Sequence, residues 1–592
     1  MPQRSRPRTT RRMRARARRG TSLVRLRVGF VLIAMVVSVF AVRLLELQGV
    51  DAKEYVAKSN SEGVVTLSLP ATRGSITDRN GAPLADSVDG LMIVADPTQT
   101  RKHASEIAAI VARRLGSDYF DVLDRLRKVP SRFQYIARRV PASKAQSVVQ
   151  EIAARGYAGI ATRRDPVRSY PSNDIAANLL GFMNNQGQAA EGAELRFDAQ
   201  LAGRDGRATY EVGAGGNRIP LGDNSTVAPR RGHDVKLTID RDVQWYTQRV
   251  VRNAVVRSGA ESGLGVVMDT RTGQLLALAD YPSFDANQPG QSKSADLDSR
   301  ALYGVYEPGS VEKVLTSSSL IDAGKVTPRT KITVPPTLRV QDRTIHDWFV
   351  HPTLHYTLTG VIARSSNIGT ALAARQLTHQ QLYDYLRRFG LGQSPRLGFA
   401  ESSGILRDWR TWSQIDQDTV AFGQGVSVNA VQMAAAINTI ANGGMYVGPS
   451  IIEGKARTLD GVVGSDTTTQ HRVVSKRAAR LTSQMMEAVV TPEVGTAAVA
   501  GVPGYRVAGK TGTAQRVGSK CHCYDGTLAV SFAGFAPADK PRFTVYVVVQ
   551  NPRSGGGGSV GGPVFHKIMS YLLQKYAVPP TDTKARKPVT TW

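Results

Sequence analysis

The sequence predicts an α+β fold in which an antiparallel five-stranded sheet, flanked by helices and carrying a helical insert, follows an elongated β-rich pedestal and one transmembrane helix. Three observations predict this fold. A single long apolar segment lies near the amino terminus, a glycine- and arginine-rich region of short β-like runs comes next, and strand-like segments then enclose a mostly helical stretch. The predicted segments are a cytoplasmic tail (1–27), the transmembrane anchor (28–47), the pedestal (48–230), the α+β domain with the five-stranded sheet (231–577) and a disordered tail (578–592).

Composition excludes several classes of protein. Of 592 residues, 41% are hydrophobic and 21% are charged, which argues against disorder of the whole chain. Two cysteines are too few for a disulfide scaffold. The formal net charge of +28 indicates an anionic partner, which could be nucleic acid, a membrane surface or an anionic polymer.

The amino terminus predicts a membrane anchor. Residues 1–27 hold eleven arginines and no acid, and Val28–Val42 is almost wholly apolar. Extended to run from Leu23 to Leu47, the segment is long enough for a hydrocarbon core of about 30 Å, and the arginines before it predict a cytoplasmic amino terminus. A cleaved signal peptide is the alternative, disfavoured because apolar residues continue to Leu47. A nucleic-acid-binding arm is disfavoured because no aromatic residues are interleaved with the arginines.

The elements of the last large segment follow from periodicity and turn signals. Apolar residues at helical spacing predict a helix over 240–258. The turn Thr270-Arg271-Thr272-Gly273 separates two apolar runs, 264–268 and 275–279, as in a β-hairpin. A helical stretch over roughly 305–445 follows, and after it come three predicted strands and a final helix, over 505–513, 528–535, 543–550 and 564–576. The short, polar and basic tail 578–592 is predicted to be disordered.

The first chemical motif is Ser310-Val311-Glu312-Lys313, which follows Pro308-Gly309. Residues i and i+3 share one face of a helix, so the hydroxyl of Ser310 and the amine of Lys313 can meet. A lysine can take the serine proton only when it is neutral, which burial among apolar residues favours. Glu312 is expected to point away from this face. Alone, the motif is more often a solvated surface pair.

The second motif is Ser365-Ser366-Asn367, whose hydroxyl could relay a proton and whose amide could hold a peptide. The pattern recurs at Ser427-Val428-Asn429, so its specificity is low. We choose the first copy because it lies in the helical insert between the other two motifs. The alternative reading is a capping or turn serine.

The third motif is Lys510-Thr511-Gly512-Thr513 on a predicted strand, where a cation, hydroxyls and a glycine suit a carboxylate and an extended peptide. Gly504 to Thr511 also matches the phosphate-loop pattern literally. Its intervening residues favour a strand, however, and no helix start follows. Residues 557–561 fit a nucleophile-elbow pattern, but the glycine run around them favours a flexible loop.

Cys521-His522-Cys523 holds both cysteines of the chain. A zinc half-site and a bridge between near neighbours are both conceivable, yet a fourth metal ligand is missing. We interpret it as a loop feature between two strands, outside catalysis.

The ordered triple of motifs at 310, 365 and 510 resembles the penicillin-binding proteins and serine β-lactamases. Further matches resemble the class B, monofunctional transpeptidases, and among them the division-type (FtsI-like) members most. These matches are Arg73 to Gly81, Arg168 to Pro171, Glu191 to Glu194, Leu237 to Asp240, Tyr306 to Ser310 and Gly423 to Gly425. The resemblance covers roughly residues 28–577, and Glu312 and Ala193 depart from the common pattern.

The resemblance implies a role for each motif residue. Ser310 would attack the penultimate D-alanine carbonyl of a peptidoglycan stem peptide, and Lys313 would take its proton. Ser365, with Lys510 nearby, would relay a proton to the departing D-alanine, and Asn367 would bind the substrate backbone. Substrate binding would rest on Thr511, Gly512 and Thr513, and β-lactam antibiotics would acylate Ser310. The resemblance implies no metal and no cofactor.

The implied partners are those of a membrane-anchored division enzyme. With no glycosyltransferase domain between anchor and pedestal, the chain would need a multi-pass membrane glycan polymerase and other division proteins, but no nucleic acid. It would be a single-pass protein of the cell membrane at the division septum. Alternatives are an elongation-type transpeptidase, a β-lactamase, a penicillin-sensing receptor, a non-catalytic division scaffold and, most distantly, a phosphate-loop enzyme.

Overall fold

The computed structural model describes residues 22–46, 64–211, 224–518, 521 and 523–592. Most of the predicted cytoplasmic tail 1–27, Leu47 and the first residues of the pedestal segment 48–230 lie outside the described residues, as does His522. Two compact units are defined by contacts, one of residues 1–69 with 206–228 and one of residues 70–205 with 229–592.

Helices of seven residues or more are numbered here in chain order, and shorter helical turns are named by their residues. The helices are α1 (Ser22–Leu45), α2 (Ala104–Leu115), α3 (Tyr119–Arg127), α4 (Ala142–Ala154), α5 (Arg241–Ser258), α6 (Lys313–Asp322), α7 (Leu358–Arg364), α8 (Asn367–Ala374), α9 (His379–Arg388), α10 (Gln414–Ala421), α11 (Ala430–Ala441), α12 (Lys476–Val490) and α13 (Gly562–Lys575).

The strands are numbered in the same way. They are β1 (Val64–Leu69), β2 (Ile76–Thr77), β3 (Pro83–Val88), β4 (Gly90–Ala95), β5 (Gln134–Pro141), β6 (Ile160–Arg164), β7 (Val167–Ser169), β8 (Gly206–Glu211), β9 (Ser225–Val227), β10 (Val235–Lys236), β11 (Ser262–Asp269), β12 (Leu275–Tyr281), β13 (Lys331–Val334), β14 (Leu338–Val340), β15 (Arg343–Ile345), β16 (Leu354–Thr357), β17 (Met445–Val447), β18 (Ala456–Thr458), β19 (Gly461–Val463), β20 (Gln470–Arg472), β21 (Ala508–Val517), β22 (Tyr524–Ala536) and β23 (Phe543–Gln550).

The first unit contains α1 and a small antiparallel sheet. At a rise of about 1.5 Å per residue, the 24 residues of α1 extend about 36 Å. Among the described residues, α1 is the one helix long and apolar enough to cross a membrane. It begins six residues before the predicted anchor 28–47. The strands of this unit pair in the order β1-β8-β9.

The remaining pedestal residues belong to the second unit and contribute to two sheets, β5-β4-β6 and β10-β2-β3-β7. Strand β10 of the second sheet comes from the next predicted segment, 231–577. Helices α2 and α4 pack over the first sheet around their own apolar cluster, which includes Ile93, Ile107 and Val148. Near the second sheet, the fully buried carboxylate of Glu194 accepts hydrogen bonds from Arg73 Nε and Arg168 Nε, each at 2.6 Å. Two guanidinium groups thereby compensate one buried negative charge.

The predicted antiparallel sheet is confirmed, with strand order β12-β11-β23-β22-β21. The early hairpin β11-β12 joins the late strands through β23, which pairs with β11 from Ser262↔Gln550 to Asp269↔Phe543. This order places β21, which carries the third motif, at an edge of the sheet. An edge strand can accept a further extended chain by main-chain hydrogen bonding.

The two faces of the sheet are covered by different helices, as the sequence predicts. Consecutive strand residues point to opposite faces. Phe543 packs against Tyr576, next to α13, whereas Thr544 donates a hydrogen bond to Asn438 of α11 at 2.7 Å. Helix α5 lies on the α13 face, and its amino terminus is capped by Asp240, which accepts from the N–H of Val243 at 3.1 Å.

The insert is less uniformly helical than the sequence suggests. It holds α6 to α11, but also two short antiparallel pairs, β13-β16 and β14-β15. Their alternating patterns are only three or four residues long. A window of helical length averages such short runs away.

The expected disorder of the tail 578–592 is not what the structure has. Thr590 O accepts a hydrogen bond from Thr357 N at 3.0 Å, and Trp592 Nε1 donates to Tyr356 O at 3.1 Å. The Trp592 ring also receives Lys331 Nζ at 4.6 Å from its centroid. The tail is therefore held against β16 by backbone hydrogen bonds and by the Trp592 side chain. The polar, basic composition of the tail does not indicate this pairing.

Candidate active site

The first motif begins in a helical turn, Gly309–Val311, that leads into α6. Gly309 has a φ of +55° and donates its N–H to Gly423 O at 3.0 Å. A Cβ on Gly309 would lie 2.8 Å from Thr513 O, and a Cβ on Gly423 would lie 2.1 Å from Gly309 O. Glycine is therefore required where these three segments meet, and partly buried Ser310 is held at their junction.

Lys313 is fully buried one turn after Ser310. Its Nζ donates to Ser365 O and Asn367 Oδ1, both at 2.7 Å, and lies 3.4 Å from Ser365 Oγ. Burial lowers the pKa of Lys313 to about 7, against the opposing effect of the carboxylates of Asp347 and Glu312. The amine then has a substantial neutral fraction at neutral pH, which is what a general base requires.

Ser365 lies between two lysines because of the way α7 ends. Ser365 is the carboxyl cap of α7 and has a left-handed backbone, with φ +60° and ψ 39°. Ser366 then caps α8, accepting a hydrogen bond from Gly369 N at 2.9 Å. The sharp break between the two helices turns Ser365 Oγ toward Lys510 Nζ, which donates to it at 2.8 Å.

Lys510 extends from the edge strand β21 and is also fully buried. Burial, and secondarily the nearby Lys313, holds its pKa well below the usual value. Two ammonium groups are disfavoured in one dry site, so the lysines compete for protons. A bound carboxylate would reverse this preference and favour the charged form of Lys510.

The remaining residues of the third motif, Thr511, Gly512 and Thr513, lie on β21 beside the turn that carries Ser310. Buried Thr511 lies 3.2 Å from Thr496 (Oγ1 to Oγ1), whereas Thr513 is exposed. A Cβ on Gly512 would lie 2.1 Å from Ser531 Oγ and 2.9 Å from a methyl carbon of Val311. Gly512 thus lets β21 approach the Gly309–Val311 turn closely.

Glu312, which the sequence predicts to point away from Ser310, lies in the protein interior. Its exposure is 0%, and Thr316 Oγ1 lies 3.0 and 3.1 Å from its two carboxyl oxygens. Burial raises the pKa of Glu312 well above its usual range, which favours the protonated form.

Two residues of the site are not singled out by the sequence. Asp347 accepts hydrogen bonds from Asn367 N at 2.5 Å and Ser366 Oγ at 2.7 Å, and it lies 3.1 Å from His351 Nε2. Asp347 precedes Asn367 by twenty residues in a segment without a recognisable motif. No local signal could have paired them.

The competing patterns lie elsewhere or in other structures. Asn429 of the second S-x-N copy is buried and caps α11 through Gln432 N. Lys510 lies inside a strand, so the phosphate-loop match has no helix start. Residues 557–561, expected to be a flexible loop, form a helical turn against β21 and β22, where a Cβ on Gly557 would lie 2.4 Å from Ser531 O. Cys521 and Cys523 form a disulfide.

The comparisons with known proteins decide the family. The model of the penicillin-binding protein transpeptidase domain matches residues 263–570, and that of the penicillin-binding protein dimerisation domain matches residues 68–237. The chain belongs to the penicillin-binding protein family. It is a serine peptidoglycan D,D-transpeptidase.

Individual relatives agree with this assignment across nearly the whole chain. Penicillin-binding protein PbpB of Mycolicibacterium smegmatis is 35% identical over 98% of this chain and 94% of its own length. Peptidoglycan D,D-transpeptidase FtsI of Escherichia coli K12 is 33% identical over 91% and 89%. Penicillin binding protein 3 of Mycobacterium tuberculosis, complexed with ampicillin, is a similar structure with a TM-score of 0.69 and 31% identity, covering 89% of this chain and all of that one.

Proposed function

We propose that Ser310 is the nucleophile of this penicillin-binding protein and that Lys313 is its base. Lys313 would take the hydroxyl proton as Ser310 Oγ bonds to the penultimate D-alanine carbonyl carbon. The carbonyl π electrons move to oxygen and return as the bond to the terminal D-alanine breaks. The observation that carries the proposal is the buried Lys313 amine, hydrogen-bonded to Asn367 and Ser365 one turn from Ser310.

We propose that the proton then reaches the departing amine through Ser365. Ser365 Oγ lies within hydrogen-bond distance of Lys510 and close to Lys313, so a proton can pass along this line. Asn367 would hold the stem-peptide backbone. Lys510, Thr511 and Thr513 would bind the terminal carboxylate, while Gly512 lets the peptide pair with edge strand β21.

The second half-reaction reverses the roles of the same groups. An amine of a neighbouring stem peptide would attack the ester carbonyl carbon and pass a proton through Ser365 to Lys313. As the new amide forms, the bond from that carbon to Ser310 Oγ would break, and Ser310 would take the proton back from Lys313. A β-lactam carries an equivalent carbonyl and carboxylate, and would leave Ser310 as a stable ester. The backbone N–H groups of Ser310 and Thr513 would stabilise the oxyanion in each step.

We propose a single-pass membrane location with the amino terminus in the cytoplasm and the catalytic part outside, at the division septum. Helix α1 and the arginines before it support the orientation. A multi-pass glycan polymerase and other division proteins would be the partners. Residues 48–230 would form the pedestal and residues 231–577 the transpeptidase domain.

Labelling by a fluorescent penicillin tests the proposed nucleophile. Detergent-solubilised full-length protein and its Ser310→Ala variant would be mixed with the probe and separated by denaturing electrophoresis. We expect a stable band that Ser310→Ala abolishes. A band that forms and quickly fades would instead indicate a β-lactamase, and a folded wild type without any band would indicate a scaffold.

A further inference from the structure

The carboxylate of Asp347 organises the turn that carries the second motif. Its Oδ1 accepts from the N–H groups of Asn367 and Ile368, at 2.5 and 3.0 Å, and its Oδ2 accepts from Ser366 Oγ at 2.7 Å. The Asp347 side chain is 0% exposed. The same carboxylate therefore fixes the backbone of Asn367, whose Oδ1 accepts the hydrogen bond from Lys313.

His351 closes this arrangement from the other side. Its Nε2 lies 3.1 Å from Asp347 Oδ2, and its Nδ1 lies 2.6 Å from Pro352 O. Both ring nitrogens thus face oxygen acceptors, but a neutral imidazole carries only one N–H. Both hydrogen bonds can form together only when each ring nitrogen carries a proton, and His351 would then pair with the Asp347 carboxylate as a buried ion pair.

The charge of this pair matters to the lysine beside it. An isolated Asp347 carboxylate would favour the ammonium form of Lys313, and an ammonium cannot accept the proton of Ser310. An imidazolium on the far side of Asp347 offsets that field. We propose that Asp347 and His351 form a positioning pair, in which Asp347 fixes Asn367 against Lys313 and His351 offsets the Asp347 charge so that Lys313 remains a base.

The titratable groups around the pair can be held constant. Lys313 faces Asn367 Oδ1 and the two oxygens of Ser365, with Glu312 and Lys510 as its titratable neighbours. On the other side, Asp347 acts on Tyr356, which is also near Arg364. His351 faces Asp347, the Pro352 carbonyl and the Phe349 ring, whose centroid is 5.0 Å away. Glu312 and Lys510 stay unchanged in the variants below.

The pH profile of acylation by a fluorescent penicillin tests the pair, and this inference rests on the proposed role of Lys313 as the base. For His351→Gln we expect the acid limb of the profile, where the acylation rate rises as Lys313 loses its proton, to move to higher pH. A shift of about one pH unit lowers the acylation rate about tenfold at the acidic end of the profile and changes it little on the alkaline plateau. For Asp347→Asn we expect the limb to move to lower pH, because the nearby negative charge is removed while Oδ1 still accepts.

His346→Gln is the matched control. His346 is exposed in the same segment, and only its carbonyl is used, accepting from Asn367 Nδ2 at 2.9 Å. Its profile should match that of the wild type. The proposal would be overturned if the acid limb moved in the same direction in His351→Gln and Asp347→Asn. It would also be overturned if His351→Gln lowered the acylation rate by the same factor at every pH.

A second measurement keeps the inference testable if His351→Gln does not fold. In folded wild-type protein labelled with ¹⁵N-histidine, the proposal expects one ring whose two nitrogens both carry a hydrogen-bonded proton, and this signal should respond to Asp347→Asn. Detection of only neutral rings would overturn the proposal. Failure of Ser310→Ala to abolish acylation would instead refute the proposed nucleophile, leaving the two failures distinguishable.

Discussion

Ser365 Oγ accepts a hydrogen bond from Lys510 at 2.8 Å, although the two residues are 145 positions apart in the chain. This contact joins the helical insert to the edge strand of the sheet. It also places one hydroxyl within reach of two buried amines, Lys313 and Lys510.

Removing the hydroxyl of Ser365 should slow the reaction without unfolding the protein. Ser365→Ala loses the proton path between the lysines, and a positioned acid–base group contributes typically about 10²- to 10⁴-fold. We expect a fall of at least about 100-fold in the acylation rate constant with a fluorescent penicillin. Ser427→Ala in the second S-x-N copy is the control, and equal losses in both variants would contradict the relay.

The acylation rate should rise with pH through the neutral range. The pKa of Lys313 is lowered to about 7, so the amine is mostly protonated below that pH and mostly free above it. Stopped-flow acylation across pH 5.5 to 9 would measure the limb. A rate independent of pH over this range would show that Lys313 is not the titrating base.

Gly423 should tolerate no side chain. In Gly423→Ala, the new Cβ would lie 2.1 Å from Gly309 O at a φ of +88°, so the turn that holds the proposed nucleophile Ser310 must move. We expect acylation to be lost or reduced by more than about 100-fold, since about 1 Å of misplacement can cost that much.

Gly425→Ala separates steric displacement from backbone strain. Its φ is +72°, but the nearest atom to a Cβ, Thr419 Oγ1, is 3.6 Å away. This variant should lose stability of about 1 kcal/mol and keep most of its acylation rate. Similar rates in the two glycine variants would refute the steric explanation.

Glu194 should contribute strongly to the free energy of unfolding of the pedestal. Glu194→Ala leaves Arg73 and Arg168 buried without their shared carboxylate, and breaking a buried pair costs about 3–5 kcal/mol. Asp198→Ala removes another partner of Arg73 whose side chain is 47% exposed, and should cost about 1 kcal/mol or less. Chemical denaturation measures both, and equal losses would argue against burial as the cause.

Much of this architecture could be predicted from local patterns. The periodicity of α5, the hairpin turn after β11 and the apolar run of β23 each depend on neighbouring residues, and the five-stranded sheet followed from them. The three motifs were found because each is contiguous. Their meeting in space, like the contact between Asp347 and Asn367, depends on packing over long sequence separations that no short window contains.

Errors arose where a local property was overridden by tertiary contacts. Glycines at 557–561 read as a flexible loop, yet the absence of side chains is what lets that turn pack against Gly512. The tail lacked apolar content, but its backbone pairs with β16, which residue type does not reveal. The short strands β13 to β16 were hidden because their pairing partners lie outside a local window.

The docked tail has a practical consequence for imaging experiments. A Cβ on Gly360 would lie only 1.9 Å from Thr590 O, so the tail packs directly on α7, the helix that Ser365 caps. A fluorescent protein joined after Trp592 would disturb this contact, a few residues from the proposed relay serine. Reporters for locating the protein in cells are therefore better fused to the amino terminus, where they leave the contact between the tail and α7 intact.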